Sequence, residues 1–334
     1  MSSLDIFTIE VSRGTMVESR HHGFGVVIDA SGQIQQSWGD PEQLIYPRSA
    51  IKPLQTLALI ETGAADHFSF TEAELALASA SHNGSRHHVE GVAAILSRLG
   101  LSADDLECGA HPPAGEQEYR VFYKSGDTLS KLHNNCSGKH AGFLATALHM
   151  KEPTAGYSGP DHPVQIRLKK ILQSMGDTDL SHTPRGIDGC GIPVMGMSVK
   201  SMALGLARMA NPEHVSPDRQ QASRRIIEAI TRYPENVAGE NRFDTHVMRL
   251  AKGGFVVKGG AEAVYGAIVP SLGLGIALKI EDGGKRASEV VMAAVLDRLG
   301  LLDGLPEKTR TDLLNVPVEN AAGDLAGFIR MGDF

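Results

Sequence analysis

Strands at both ends of the chain and helices between them predict an α/β (α+β) protein, its sheet assembled from the two termini around a mainly helical middle. Three observations carry this. β-Branched and apolar residues crowd two early runs, Ile6-Phe7-Thr8-Ile9 and Gly25-Val26-Val27-Ile28. Similar runs return late, in Phe255-Val256-Val257-Lys258, 263–269 and 274–280, separated by glycines. Between these ends the apolar residues recur at helical spacing. The reading divides the chain into a discontinuous α/β lobe, about 1–46 plus 245–334, and a mainly helical lobe, about 47–244.

The first strands form a meander that ends near Trp38, with Gly14 and Ser31-Gly32 as its turns. From Ser49 to about Thr62, the spacing of Ile51, Leu54, Leu57, Ala58 and Ile60 suits one buried helix. Pro53 falls in its first turns, where proline is best tolerated. Thr71 with Glu74 reads as a capping box for a helix to about Ala78. Further helices are expected at about 86–99, 139–149, 163–175, 196–209 and 216–233. A helix at about 286–299 places Val291, Met292, Val295, Leu296 and Leu299 on one side. Pro317-Val318 and Leu325–Ile329 are expected to add strand structure.

With 334 residues, 42% of them hydrophobic, the chain can bury a large core. Its net charge of -7 and pI near 6.1 argue against nucleic acid and anionic membranes as partners. Asp5, Glu10, Arg13 and Glu18 interrupt any signal-peptide core, and no apolar window is long enough to span a membrane. A cytoplasmic protein is expected. Three cysteines, Cys108, Cys136 and Cys190, make a poor disulfide framework and suit a reducing compartment.

Three short polar motifs carry the chemistry. Ser49-Ala50-Ile51-Lys52 is Ser-x-x-Lys, Ser81-His82-Asn83 is Ser-x-Asn, and Lys258-Gly259-Gly260 is Lys-x-Gly. In this order they form the toolkit of a serine acyl-transfer enzyme whose base is lysine. On a helix Ser49 and Lys52 share a face, so the amine can receive the serine proton. Burial and the helix N-terminus both disfavour an ammonium there, which lowers the lysine pKa toward that of a working base. Alone, Ser-x-x-Lys is common, and Ser49 is equally a helix cap, Ser81 a turn residue and Lys258 a solvated strand end.

Cys136 and Cys190 have glycine and polar neighbours, unlike simple core cysteines. With Lys139 or His140 they offer two sulfurs and a nitrogen to a zinc ion, and Asp188 can join as ligand or outer acceptor. His21-His22 and His87-His88 read as exposed or structural, and Cys108 as a buried thiol.

Longer motifs resemble a known family. Arg48-Ser49-x-x-Lys52-Pro53, Ala80-Ser81-His82, Cys108-Gly109-x-His111-Pro112 and Asn135-Cys136-Ser137-Gly138-Lys139-His140 are similar to the rhizobial-type (class 3) L-asparaginases, the asparaginase II family. So are Asp161-His162-Pro163, Asp188-Gly189-Cys190, Val237-Ala238-Gly239-Glu240-x-Arg242 and Lys258-x-Gly260-Ala261. The resemblance runs from about residue 10 to 285. It implies a fold like that of serine β-lactamases and glutaminases, with an antiparallel sheet lobe and a helical lobe. It implies hydrolysis of L-asparagine to L-aspartate and ammonia, and a homodimer. It implies two Ser–Lys pairs, Ser49 with Lys52 and Ser81 with Lys258. It implies one zinc ion (Zn2+) on Cys136, Lys139 and Cys190, with Asp188 beside it.

On this reading neutral Lys52 activates Ser49 as nucleophile, and Ser81 with Lys258 relays a proton to the leaving ammonia. Arg48 or His82 is expected to bind the substrate carboxylate, and Asp188 to line the substrate site. Acylation at Ser81 stays open. The rivals are a β-lactamase-like or other serine amidase acting on a different small amide, a hydrolase using zinc-bound water, and an amino-acid sensor on an inactive scaffold.

Overall fold

A computed structural model describes residues 5–332. Its main sheet has eight strands, and every strand lies in the first 38 residues or after Phe255. The order runs Asn315–Glu319, Leu325–Met331, Phe7–Arg13, Met16–Asp29, Leu274–Ile280, Val264–Val269, Val256–Gly260, and Ile34–Trp38 pairs separately with Met16–Asp29. All the pairings are antiparallel. The α/β fold with an antiparallel sheet and a helical body is therefore the one observed.

Two kinds of strand meet here. Phe7–Arg13 alternates buried and half-buried residues, the signature of a strand with one covered face. Val264–Val269 is buried throughout, and Leu274–Ile280 nearly so, because helices cover both faces. Helices Val199–Ala210 and Lys285–Arg298 pack on these strands. At Gly275 the helix Val199–Ala210 comes so close that an added Cβ would lie 2.1 Å from the Ala203 carbonyl oxygen and 2.3 Å from the Ala207 nitrogen. Only glycine admits that approach. A single apolar core runs through sheet and helices together.

Most expected helices form. The Thr71–Glu74 capping box is present, with the Thr71 hydroxyl accepting from the Glu74 N–H and the Glu74 carboxylate accepting from the Thr71 N–H. The expected single helix from Ser49 differs. Arg48–Ile51 is a tighter 3-10 turn, and the α-helix is Lys52–Glu61, with Pro53 in its first turn. Ile51, at φ -100° and ψ 11°, separates the two. Among the described residues, three helices of eight residues or more were not foreseen, Glu116–Ser125, Phe243–Leu250 and Glu307–Leu314, together with short pieces such as helix Ala64–His67 and the hairpin Arg185–Ile187 with Pro193–Met195. Helix Glu116–Ser125 buries no side chain, so its apolar residues define no core stripe. Among the described residues no helix is long and apolar enough to cross a membrane.

Candidate active site

The 3-10 turn Arg48–Ile51 sits against the end of the strand Val256–Gly260. A Cβ at Gly260 would lie 2.8 Å from the Ala50 nitrogen and 3.2 Å from the Ser49 nitrogen. The loop after helix Glu72–Ala78 carries Ser81 and is tied on both sides. Ser81 N–H donates to the Val237 carbonyl at 2.8 Å, and His82 N–H donates to the Asn135 carbonyl at 3.1 Å. These three pieces surround a pocket of about 440 Å³ lined by Ser49, Ser81, Cys136, Asp188, Cys190 and Arg242, among others. The structure thus gathers motifs that lie more than 200 positions apart in the chain.

Lys52 is buried beneath this pocket. Its amine donates to Ser81 Oγ at 2.9 Å, to Cys136 Sγ at 3.1 Å and to the Ala80 carbonyl. None of its hydrogen bonds goes to Ser49, whose hydroxyl forms none among the described residues. A 3-10 turn keeps positions three apart on one face, so spacing alone does not part Ser49 from Lys52; the Lys52 amine is instead drawn across to the acceptors of the Ser81 loop and Cys136. Burial pushes the Lys52 amine below its ordinary value; Cys136 opposes this and Lys139 adds to it.

Lys258 is also buried. Its amine donates to the Gly259 carbonyl at 2.6 Å and forms no hydrogen bond with Ser81. Burial lowers its pKa to about 7, against the charge of Asp244 and with help from Lys52 and Arg242. Asp244 holds this strand end in place. It accepts from Tyr265 Oη at 2.5 Å and from Gly259 N–H at 3.1 Å. Sequence reading passed over Asp244 and Tyr265, because no motif marks a buried Asp–Tyr contact.

The residues expected to touch substrate are differently placed. Arg48 adopts a left-handed backbone, φ 44°, at the pocket edge. Its guanidinium donates to Asp188 Oδ1 at 3.0 and 3.2 Å and to Glu262 at 3.1 Å, so both Arg48 and Asp188 are already engaged. His82 is fully buried. Its Nδ1 accepts from Gly84 N–H at 3.2 Å, which leaves Nε2 to donate to Ser137 Oγ at 2.9 Å. Burial first, then His88 and Lys52, hold it well below the usual imidazole range. A neutral ring with both nitrogens committed supports the Ser81 loop and offers a substrate carboxylate no bond. His111 lines the same pocket; its Nδ1 donates to the Pro112 carbonyl at 2.8 Å and its Nε2 accepts from Asn135 N–H at 3.0 Å.

Cys136, Lys139 and Cys190 come together, all buried. Lys139 Nζ lies 3.1 Å from Cys190 Sγ. The Cys190 thiol draws Cys136 well below its ordinary value, against burial, and the Lys52 and Lys139 amines assist. Cys190 rises in turn, through Cys136 and through burial. Burial would lower Lys139, but Cys136 and Cys190 outweigh it and hold the amine protonated. The other nitrogen considered, His140, instead meets Tyr157 Oη at 2.8 Å through Nδ1. Among the described residues no three His, Cys, Asp or Glu side chains cluster so as to hold a metal. A metal here would take the lysine amine as its third donor. Two sulfurs and one nitrogen suit zinc and leave a fourth position open, so the donor set fits that ion.

An L-asparaginase II family model matches residues 9–331. No curated protein gives a significant match. Among solved structures the chain is similar to the native form of Mglu, at 15% identity and TM-score 0.46, over 88% of this chain and 69% of that one. It is similar to a β-lactamase from Mycobacterium bovis, at 14% identity and TM-score 0.40, over 83% and 94%. A D-alanine carboxypeptidase from Burkholderia cenocepacia follows at 11% and 0.34, over 77% and 87%.

Proposed function

The chain belongs to the L-asparaginase II family and is an amidohydrolase; from that premise we propose that it hydrolyses L-asparagine to L-aspartate and ammonia through an ester on Ser49. The observation that supports a serine amidohydrolase, whichever serine is acylated, is the buried Lys52 amine, 2.9 Å from the Ser81 hydroxyl beside the pocket that Ser49 lines. Burial favours the neutral amine, which is what a general base requires.

Ser49 Oγ attacks the side-chain amide carbon. Its proton passes by way of the Ser81 hydroxyl to Lys52. The first N–H groups of a helical turn lack partners within the turn, and Ser49 N–H is one of them. It can donate to the oxyanion, a contact typically worth ~3 kcal/mol. Lys52 then returns the proton through Ser81 to the amide nitrogen. The C–N bond breaks, ammonia leaves, and the β-aspartyl ester remains on Ser49. Water attacks that ester while Lys258, poised near pH 7, takes its proton. The proton returns to Ser49 as the ester bond breaks.

Cys136, Lys139 and Cys190 are the residues that would hold zinc. When bound, the ion supplies a Lewis-acid contact for the amino-acid end of the substrate. Dimerisation belongs to the same proposal and is read by sedimentation.

Ser49→Ala should lose at least a thousandfold in turnover, and a trapped acyl group should map to the peptide holding Ser49. The direct contact between Lys52 and Ser81 favours a second reading, with Ser81 as nucleophile. A label on Ser81, with turnover retained in Ser49→Ala, establishes that reading and removes the first.

A further inference from the structure

The pocket is lined by several basic side chains, and all but one are occupied. Arg48 is held by Asp188 and Glu262. Lys285 pairs with Glu289 at 3.3 Å. His82 and His111 have both ring nitrogens engaged inside the protein. Arg242 differs: among the described residues its guanidinium has no hydrogen bond and no ion pair, yet it lines the pocket. The acids whose charges it feels or neighbours are committed elsewhere, Glu289 to Lys285 and Asp244 to Tyr265 and Gly259.

Its position is not accidental to the chemistry. Arg242 immediately precedes helix Phe243–Leu250, and its N–H donates to the Gly239 carbonyl at 3.3 Å. Gly239, at φ 121°, lies so close to Asn83 that an added Cβ would be 2.3 Å from Asn83 Nδ2. The Ser81 N–H bonds the Val237 carbonyl in the same segment. The loop bearing Arg242 is therefore fastened to the loop bearing Ser81. Its charge also reaches Lys258, whose proton it helps to repel.

We propose that Arg242 anchors the α-carboxylate of the substrate, which confines this site to amides of α-amino acids. The inference rests on the amidohydrolase reading and names its substrate class. A free guanidinium fork in a sheltered pocket matches a carboxylate with two parallel N–H···O bonds, a geometry that lysine does not reproduce. Holding the carboxylate at Arg242 places the opposite, amide-bearing end of a short amino acid toward the serines across the pocket. A simple amide lacks that anchor.

The test compares L-asparagine with 3-aminopropanamide, which is asparagine without its α-carboxylate. For the wild type, kcat/KM should favour asparagine by roughly ten- to hundredfold, the worth of a charge-assisted pair. Assayed at pH 9, well above the Lys258 pKa of about 7 so that the Arg242 charge no longer sets that proton, Arg242→Ala should lose that factor on asparagine and stay within about twofold on 3-aminopropanamide. Arg242→Lys should recover part of it. Equal losses on both substrates, or selectivity kept in Arg242→Ala, overturn the proposal. Calorimetry separates it from the reaction itself. The wild type should bind L-aspartate at least tenfold tighter than β-alanine, and Arg242→Ala should erase the difference. Wild-type protein that shows this binding but releases no ammonia refutes the hydrolase reading and leaves the anchor standing. No preference for aspartate refutes the anchor.

Discussion

Replacing Lys258 by methionine should abolish turnover and, near neutral pH, stabilise the fold. The amine is buried, with the Gly259 carbonyl as its hydrogen-bond acceptor. Burial moves its pKa from 10.5 to about 7. Each unit is worth ~1.4 kcal/mol, so forcing a proton onto the folded state costs ~5 kcal/mol. The unfolded chain binds that proton up to about pH 10.5 while the folded chain refuses it above about pH 7. Stability contributed by this group is therefore fully present above pH 10.5 and is lost as pH falls toward 7. Methionine has similar volume and no proton to refuse. Urea titrations of wild type and Lys258→Met at pH 7 and pH 9.5 isolate the effect, because other titrating groups are common to both. The advantage of the methionine variant should shrink by ~3 kcal/mol between these conditions. A stability difference independent of pH would show that Lys258 is not held neutral by burial, and the assignment of its role as base would fall with it.

Other outcomes follow from single contacts. Gly275→Ala should destabilise the protein by ~3 kcal/mol in urea titration, since the new methyl meets the backbone of helix Val199–Ala210; a change under ~0.5 kcal/mol would contradict the packing. Tyr265→Phe removes the donor to Asp244 and should cost ~1–3 kcal/mol, measured by the same titration. Purified wild type should carry zinc by elemental analysis and release it on acidification, as Cys136, Lys139 and Cys190 regain their protons. Cys136→Ser should hold far less, and equal zinc in the two proteins would exclude the site.

Much of the fold was legible because its signals are local. Runs such as Val26-Val27-Ile28 and the Thr71–Glu74 cap specify strand and helix from neighbouring residues alone. Elements without such signals were missed. Helix Glu116–Ser125 has no buried stripe, and Phe243–Leu250 is too short for its periodicity to stand out. The site residues were legible as types, since serine, lysine and cysteine flanked by polar residues and glycine depart from core patterns. Their partners were not legible. The spacing of Ser49 and Lys52 puts them on one face, but it does not say that the Lys52 amine is taken by Ser81, Cys136 and the Ala80 carbonyl, which come from distant parts of the chain.

By itself the sequence determined the α/β class, the order of the reactive motifs and membership in a family of amide hydrolases. These depend on residue identity and short spacing, which the chain carries before it folds. Only the tertiary structure decided which groups meet: Lys52 with Ser81 and Cys136, Lys139 with Cys190, Asp244 with the strand end beside Lys258. It also decided which charges are already spent, so that Arg48 is engaged by two carboxylates while Arg242 lines the pocket with no side-chain partner among the described residues. Such pairings join residues as many as 214 positions apart, as in Arg48 with Glu262. They depend on packing in three dimensions, and burial there sets which proton each group keeps.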